Sequence, residues 1–204
     1  MKISAILLGA GESRRMGFDK LSLPYGKKTI LEHCLDVLLR SKVKEVVVVL
    51  SNRTKGMESR LRGPRVKIVI NPYYKKGMST SLRWGIQAID PASQGILIAL
   101  GDQPSLKTRT VDALIRAFVK RKGKIILPTF RSQKGNPVIF DKKFEEELLR
   151  LEGDRGGKSI IEKHRQDVRR ISVKSEGVVK DIDTWKDYKK EFKIDPKRKR
   201  VQKG

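Results

Sequence analysis

The chain has 204 residues, a single cysteine, and 47 basic against 23 acidic residues, which gives a net charge of +24 at pH 7. This length suits one domain with one sizeable core. A lone cysteine excludes an internal disulfide, and the longest apolar run, around residues 46–50, is far shorter than the ~20 residues of a membrane-spanning helix. We therefore expect a cytoplasmic protein without a signal peptide and without membrane contact.

The basic residues are spread along the whole chain. The segment 193–204 holds six basic residues and one acidic residue, so a charge of +19 remains without it. Aromatic residues make up only 6%, whereas a surface that stacks single-stranded nucleic acid interleaves rings with basic residues. We interpret the charge as a solvated lysine-rich surface and 193–204 as a disordered tail. A non-catalytic accessory protein that binds nucleic acid is the less favoured alternative.

Runs of β-branched residues alternate with segments of helical period in the first 128 residues, a pattern typical of a parallel sheet covered by helices. The predicted strands cover residues 3–8, 45–50, 66–70, 95–100 and 124–127. The predicted helices cover residues 29–40, 79–89 and 107–122. Cys34 lies on the apolar face of the first helix, so we expect it in the core. The carboxyl ends of parallel strands meet at one edge of such a sheet, where open α/β sheets bind ligands.

The regular alternation of predicted strands and helices ends at Pro128, where a second half of the same domain begins. Short strands are predicted over residues 137–140, 168–173 and 178–181. Helices are predicted over residues 142–151 and 158–164. Asp183 or Thr184 is expected to cap a last helix that ends near Phe192.

A glycine-rich segment, LGAGESRRMG, follows the first strand at residues 8–17. Glycines let the backbone approach a ligand closely, and successive free amides bind anions. The segment is neither a P-loop nor a dinucleotide fingerprint, because the Gly-Lys-Ser/Thr ending is absent and Arg14 stands at the third glycine. Arg15 and Lys20 follow at a spacing that suits a triphosphate. The alternative is an ordinary turn with surface arginines.

The tetrapeptide GDQP follows the fourth predicted strand at residues 101–104. A carboxylate at the carboxyl end of a buried strand stands where Mg²⁺ can bridge it to a nucleotide phosphate. The alternative is an aspartate that serves only a turn, which Pro104 also indicates. We favour Asp102 as a ligand of Mg²⁺.

Six motifs occur together in order and span about residues 2–192. They are LGAGESRRMG with the following Lys20, NPYYKKGMSTSL, GDQP, GNPVIF, LEGDRGGKSI and DIDTWKDY. On these motifs the chain resembles the MobA/MocA-like nucleotidyltransferases, and among them the molybdenum cofactor cytidylyltransferase branch. The resemblance implies a Rossmann-like, three-layer α/β sandwich with a mostly parallel sheet, the GT-A-like nucleotidyltransferase fold. It also implies one domain, with a nucleotide half of about 1–128 and an acceptor-binding half of about 129–192.

The resemblance implies an activity as well as a fold. It implies Mg²⁺-dependent transfer of CMP from CTP to the phosphate of a molybdopterin-type molybdenum cofactor, with release of pyrophosphate and handover of the product to a molybdoenzyme or its chaperone. The first loop reads LGAG, where the cytidylyl branch usually shows LAAG and the guanylyl branch LAGG. GTP therefore stays open as the donor, and a sugar or alcohol phosphate stays open as the acceptor.

The resemblance assigns the catalytic roles to Arg15, Lys20 and Asp102. Arg15 would contact the β- and γ-phosphates, and Lys20 the α-phosphate. Asp102 and Asp183 would hold the metal ion. The alternative for Asp183 is that it only caps the last helix.

The binding residues follow from the same motifs. The residues implied for nucleotide binding are Leu8, Gly9, Ala10, Gly11, Arg15, Lys20, Asn71, Ser79 and Ser81. The residues implied for acceptor binding are Gly135, Asn136, Pro137, Asp154, Arg155 and Gly156. Whether Ser79 or Ser81 contacts the base stays open.

Overall fold

A computed structural model of the chain describes residues 1–11, 13 and 16–191. The strands within these residues are β1 (Ile3–Gly9), β2 (Pro24–Tyr25), β3 (Lys28–Thr29), β4 (Glu45–Ser51), β5 (Val66–Asn71), β6 (Gly95–Leu100), β7 (Ile125–Phe130), β8 (Gln133–Lys134), β9 (Val138–Asp141) and β10 (Val168–Ser172). The α-helices are α1 (Ile30–Leu39), α2 (Met78–Ala88), α3 (Thr108–Val119), α4 (Glu145–Leu149), α5 (Lys158–Lys163) and α6 (Trp185–Glu191). None of these helices has the length and apolar character needed to cross a bilayer.

Eight of the strands form one mixed sheet in the order β10-β7-β9-β6-β1-β4-β5, with β8 beside β7. The pairs of β1 with β4 and β6, of β4 with β5, and of β7 with β10 are parallel. The strand β9 runs antiparallel to both of its neighbours, β6 and β7. A strand of the second half of the chain is thereby inserted between two strands of the first half, so that both halves share one sheet.

Helices cover both faces of this sheet. Alternate residues of each central strand point to opposite faces, and Ala5 and Leu7 pack in a different apolar cluster from Ile6. The first cluster includes residues of α1 and α3, and the second includes residues of α2, α4 and α5. This arrangement confirms the predicted mostly parallel α/β sandwich, and it explains why the central strands read as continuous apolar runs.

The helix α1 begins where the sequence predicts. The Thr29 side chain accepts a hydrogen bond from the Glu32 backbone N–H at 3.2 Å, and the Thr29 N–H donates to Glu32 Oε2 at 2.8 Å, which is a complete capping box. Cys34 is buried as expected, and its thiol donates to the Gly101 carbonyl at 3.3 Å. Burial strongly raises the pKa of this thiol, so it stays protonated and serves packing.

The core of α1 gives a test of the packing. Leu38→Ala removes a fully buried side chain and is expected to lower the free energy of unfolding by about 2–5 kcal/mol, measured by urea denaturation. Leu39→Ala, at the next and only partly buried position, is the matched control and should cost less than about 2 kcal/mol. Equal losses would contradict the orientation of α1.

Two elements of the second half differ from the prediction. The strand predicted over residues 178–181 is absent. The chain instead forms a 3₁₀ turn, Glu176–Val178, and the Val178 carbonyl accepts hydrogen bonds from the Asn136 N–H at 2.8 Å and from Gln103 Nε2 at 3.4 Å. The helix predicted over residues 142–151 starts as a 3₁₀ turn and is α-helical only in α4. Arg15 and the tail 193–204 lie outside the described residues.

Candidate active site

Three charged side chains meet beyond the carboxyl ends of β1 and β6. Lys20 opens a 3₁₀ turn that Asp19 caps, and its ammonium nitrogen lies 2.7 Å from Asp102 Oδ2 and 2.8 Å from Asp183 Oδ1. The two carboxylates stand 82 and 163 positions along the chain from Lys20. Asp102 follows the central strand β6, and Asp183 precedes the last described helix, α6. Through Lys20, the site therefore brings together segments from the N-terminal, middle and C-terminal parts of the described chain.

The two carboxylates keep Lys20 charged although the lysine is buried. Burial by itself would lower the pKa of Lys20, but the charge of Asp102 and the hydrogen bonds that the ammonium donates to both carboxylates outweigh burial, so the pKa of Lys20 is raised. An ammonium whose pKa is raised above its already high value carries its proton throughout the physiological range. The cleft thus holds a fixed positive charge.

A third carboxylate, Asp181, lies close to this group. The residue is exposed as a whole, but its carboxyl points among protein atoms; the resulting desolvation raises its pKa, and the charge of Asp102 raises it further. Gln103 Nε2 donates to Asp181 Oδ1 at 2.5 Å. The site therefore contains a third carboxylate in addition to Asp102 and Asp183, the two that the sequence predicts.

The residues present fit a divalent cation. One carboxylate oxygen, Asp102 Oδ1, is buried and has no hydrogen-bond partner among the described residues. A buried carboxylate oxygen without a partner is costly, and a cation would satisfy it. No group of three or more potential ligating side chains occurs within the described residues. A cation at Asp102 and Asp183 would take its other ligands from phosphate or water oxygens, as is usual for Mg²⁺.

A cleft of about 490 Å³ opens over these charged side chains. It collects many of the residues that the resemblance implied, namely Leu8, Ala10, Gly11, Lys20, Ser81, Asp102, Asp154 and Asp183. It also has walls that the sequence analysis did not name, among them Ser13, Tyr74, Lys75, Gly77, Met78 and Asp181. Ser13 stands inside the glycine-rich motif, and its hydroxyl accepts a hydrogen bond from the Lys20 N–H at 3.3 Å.

Three of the residues implied for nucleotide binding, Gly9, Asn71 and Ser79, do not line the cleft. Asn71 is fully buried, and its amide group donates to Thr80 Oγ1 at 2.8 Å and to Ser81 Oγ at 2.9 Å. Its carbonyl oxygen accepts from the Tyr73 N–H at 2.8 Å. Asn71 therefore fixes the first turn of α2, and Ser81 is the one of the two implied serines whose residue reaches the cleft.

The first turn of α2 also depends on Gly77 and on the loop of the second half. Gly77 has φ = 104°, and a Cβ there would lie 2.5 Å from the backbone carbon of Gly153. The close approach lets Asp154 Oδ1 accept from the Met78 N–H at 3.0 Å, which caps α2. Asp154, implied for acceptor binding, thus ties the two halves together at the cleft.

Gly77→Ala tests this junction. The added Cβ is strained by the positive φ and must displace the 153–154 backbone, so we expect a loss of about 1–3 kcal/mol in unfolding free energy together with weaker nucleotide binding. Gly56→Ala, where a Cβ meets open space, is the control and should change stability by less than about 0.5 kcal/mol. Thermal unfolding and nucleotide titration measure both effects. Equal behaviour of the two variants would contradict the close approach.

A second cavity, of about 740 Å³, adjoins the cleft and shares Met78, Leu100 and Asp154 with it. The residues implied for acceptor binding that line it are Gly135, Asn136, Asp154, Arg155 and Gly156. Pro137 does not line it. The remaining wall is mainly apolar and includes Leu82, Ile98, Leu127, Val138 and Phe140. We refer to this space as the apolar cavity.

Comparisons with known proteins agree with the fold. A family model described as the MobA-like NTP transferase domain matches residues 5–168. Nicotine blue oxidoreductase of Paenarthrobacter nicotinovorans is 28% identical over 89% of this chain and 92% of that protein. Molybdenum cofactor cytidylyltransferase of Escherichia coli K12 is also 28% identical, over 69% of this chain and 70% of that protein. A probable molybdenum cofactor guanylyltransferase of Pyrococcus horikoshii is 31% identical over 58% of this chain and 57% of that protein.

Solved structures extend the likeness to the whole architecture. Rv0371c of Mycobacterium tuberculosis H37Rv has a TM-score of 0.81 and 27% identity over 95% of this chain and 98% of that chain. The same protein in complex with manganese has a TM-score of 0.78 and 25% identity, with the same coverage. A nucleotidyl transferase of a Methanothermobacter species shares the fold with a TM-score of 0.78 at 22% identity, over 93% of this chain and 95% of that chain. The chain therefore belongs to the MobA-like NTP transferase family and has the GT-A-like nucleotidyltransferase fold.

Proposed function

We propose that this protein transfers CMP from CTP to the phosphate of a molybdopterin-type molybdenum cofactor, with release of pyrophosphate. The observation that carries the proposal is the Lys20 ammonium held between Asp102 and Asp183 in the cleft. The acceptor phosphate and the α-phosphate are both anions, so the transfer needs fixed positive charge and accurate positioning. It needs no covalent nucleophile, which agrees with the buried, protonated Cys34.

The two adjoining spaces suit two reactants. The nucleotide would occupy the cleft, with Lys20 at its α-phosphate and the main chain of Ala10 and Gly11 beside it. The acceptor would occupy the apolar cavity, which suits a ring system and carries Arg155 at its wall. Since the spaces meet at Leu100 and Asp154, reactants bound in both would bring their phosphates together near Lys20.

The metal requirement is part of the proposal. Asp102 and Asp183 would hold Mg²⁺, which would neutralise charge on the phosphate oxygens of the nucleotide when bound. In this arrangement the Lys20 ammonium bridges the two carboxylates and would supply a second positive charge to the α-phosphate. Asp102 Oδ1, which has no hydrogen-bond partner in the described part of the chain, supports the assignment of Asp102 as a ligand.

The choice of base is tested by turnover. Pyrophosphate release is measured with CTP and with GTP, each with Mg²⁺ and molybdopterin-type cofactor as the acceptor, and we expect CTP to be faster by at least roughly tenfold. A preference for GTP would indicate that the protein transfers GMP, the activity for which the Pyrococcus horikoshii relative is named. Pyrophosphate release with a sugar phosphate but not with the cofactor would identify the sugar phosphate as the acceptor. No release with any pair would contradict nucleotidyl transfer.

Nicotine blue oxidoreductase is as identical to this chain as the cytidylyltransferase is, and over a larger share of it, so the names of the relatives do not select the activity. A cation between two carboxylates, with phosphate-sized space above it, favours charge neutralisation of phosphates over electron transfer. We extend the proposal to a cytoplasmic enzyme that passes its product to a molybdoenzyme or its chaperone.

A further inference from the structure

The glutamine of the GDQP segment, Gln103, lies beside the candidate site but does not line the cleft. It is 1% exposed. Its Nε2 donates to Asp181 Oδ1 at 2.5 Å and to the Val178 carbonyl at 3.4 Å. Both acceptors belong to the segment 178–183, which ends at Asp183. The resemblance assigns no role to this glutamine.

The two acceptors fix the orientation of the Gln103 amide. A rotation of the amide by half a turn would bring Oε1 against a carboxylate and a carbonyl, which only accept hydrogen bonds. With Nε2 toward them, Oε1 is buried and has no hydrogen-bond partner in the described part of the chain. A buried amide oxygen without a partner costs stability, and an apolar side chain of similar size would avoid this cost. The contact with 178–183 therefore explains a glutamine here better than core packing does.

The segment 178–183 needs such a contact because it belongs to none of the described strands. No ladder of backbone hydrogen bonds therefore fixes its register. The Ile182 N–H donates to the Asp102 carbonyl at 3.0 Å, which ties the segment to the loop after β6. Gln103 follows Asp102 in that loop and adds a side-chain contact between the same two stretches of chain.

The cap of α6 involves the backbone of Asp183 and leaves the direction of its carboxylate to the preceding segment. Thr184 Oγ1 accepts from the Asp187 N–H at 3.2 Å, and Asp187 Oδ2 accepts from the Thr184 N–H at 2.9 Å, which is the pattern of a capping box. Asp183 donates its own N–H to Asp187 Oδ2 at 3.3 Å, and its carboxylate contacts Lys20. The path of the chain into α6 therefore determines where this carboxylate lies.

We propose that Gln103 is a positioning residue of the candidate site. By holding Asp181 against the loop that carries Asp102, it places Asp183 beside Lys20 and sets the separation of the two carboxylates that would bind a divalent cation. Replacing a hydrogen-bond partner that orients the ligands of a metal ion commonly weakens the metal by about 10- to 100-fold. The inference rests on the proposed function for the cation, whereas the positioning of 178–183 can be measured without it.

The variant Gln103→Met removes both donated hydrogen bonds and keeps the charge and most of the volume of the side chain. Binding of Mn²⁺ to the CTP-bound protein, followed by electron paramagnetic resonance, is expected to weaken about tenfold. CTP binding without a metal ion should stay within about twofold of the wild type. Gln94→Met is the matched control, because Gln94 Oε1 accepts from the Lys2 N–H at 3.2 Å just before β6, at the end of the strand opposite Asp102. It should leave the Mn²⁺ affinity unchanged.

An exchange of side-chain length separates positioning from folding. Gln103→Asn draws the amide back by one methylene group, and Asp181→Glu extends the carboxylate by one, so the double variant restores the contact at the same net charge. We expect Gln103→Asn to lose Mn²⁺ affinity as Gln103→Met does, and Gln103→Asn/Asp181→Glu to return to within about threefold of the wild type. Thermal unfolding reports the stability of each variant.

Two results would overturn the inference. One is a folded Gln103→Met protein with the Mn²⁺ affinity of the wild type. The other is a double variant that regains the thermal stability of the wild type but not its Mn²⁺ affinity, which would limit Gln103 to a role in folding. If the double variant does not regain stability, the Gln103→Met result decides.

Amide hydrogen exchange of the protein without ligands separates this inference from the proposed function. In Gln103→Met, exchange of the Ile182 N–H is expected to become faster by about tenfold, while the Leu97 N–H in β6 exchanges as in the wild type. Faster exchange at Ile182, in a protein whose wild type binds neither CTP nor Mn²⁺, would defeat the proposed function and retain the positioning. Unchanged exchange and unchanged Mn²⁺ affinity, in a protein whose wild type binds both, would defeat the inference alone.

Discussion

Replacement of Asp102 by asparagine is expected to slow nucleotidyl transfer by roughly 100-fold or more in a protein that stays folded. Asparagine keeps the size of the side chain and an oxygen that can accept from Lys20, so the 3₁₀ turn and the loop after β6 keep their shape. The variant loses the charge that would hold a divalent cation and leaves Asp183 as one carboxylate facing Lys20.

The measurement is steady-state pyrophosphate release at saturating Mg²⁺, together with thermal unfolding. Asp112→Asn is the control, because it makes the same substitution on α3, where Asp112 accepts a hydrogen bond from the Lys42 N–H at 2.9 Å, away from the cleft. Asp102→Asn with the turnover of the wild type would exclude this carboxylate from the metal site.

Lys20→Met is expected to lower the turnover rate by roughly 100- to 1,000-fold while weakening nucleotide binding by less than about tenfold. Charge on the reacting phosphate grows in the transition state, so the loss of a fixed ammonium is felt more by the rate than by ground-state binding. Methionine retains most of the apolar stem of the buried lysine and limits the structural effect.

Lys27→Met is the matched control, since Lys27 is an exposed lysine in the turn between β2 and β3. Single-turnover rates and nucleotide titrations separate the two quantities for each variant. If rate and affinity fall by the same factor in Lys20→Met, the lysine binds nucleotide uniformly and has no special role in the transition state.

The sequence predicts the strands and helices of the first half well, because buried parallel strands and amphipathic helices have distinct periods. It does not predict the place of β9. Residues 138–141 carry the apolar character of a strand, but nothing in their pattern says that they enter the sheet antiparallel between β6 and β7. Strand order depends on long-range packing. The strand predicted over residues 178–181 is absent although Val178 is fully buried in the core, because this segment makes backbone hydrogen bonds to loops and turns and pairs with no neighbouring strand.

The candidate site also has features that the sequence predicts and features that only the folded chain shows. A motif can name Lys20, Asp102 and Asp183, but only the folded chain shows that one ammonium contacts both carboxylates. Asn71 belongs to a motif that the resemblance assigns to nucleotide binding, but the hydrogen bonds of its side chain hold the first turn of α2. Asp181, by contrast, stands two positions before Asp183 in the same DIDT segment, and its place beside the cleft could have been suspected from that spacing.

The central claim is that the cleft around Lys20 binds a nucleoside triphosphate with a divalent cation at Asp102. Isothermal titration of the wild type and of Asp102→Asn with CTP and with GTP, each with Mg²⁺ and at fixed salt, tests it most directly. The account predicts that the wild type binds CTP more tightly than GTP and that Asp102→Asn loses the Mg²⁺-dependent part of this binding. Binding of neither nucleotide by the wild type, or equal Mg²⁺-dependent binding by the variant, would contradict it.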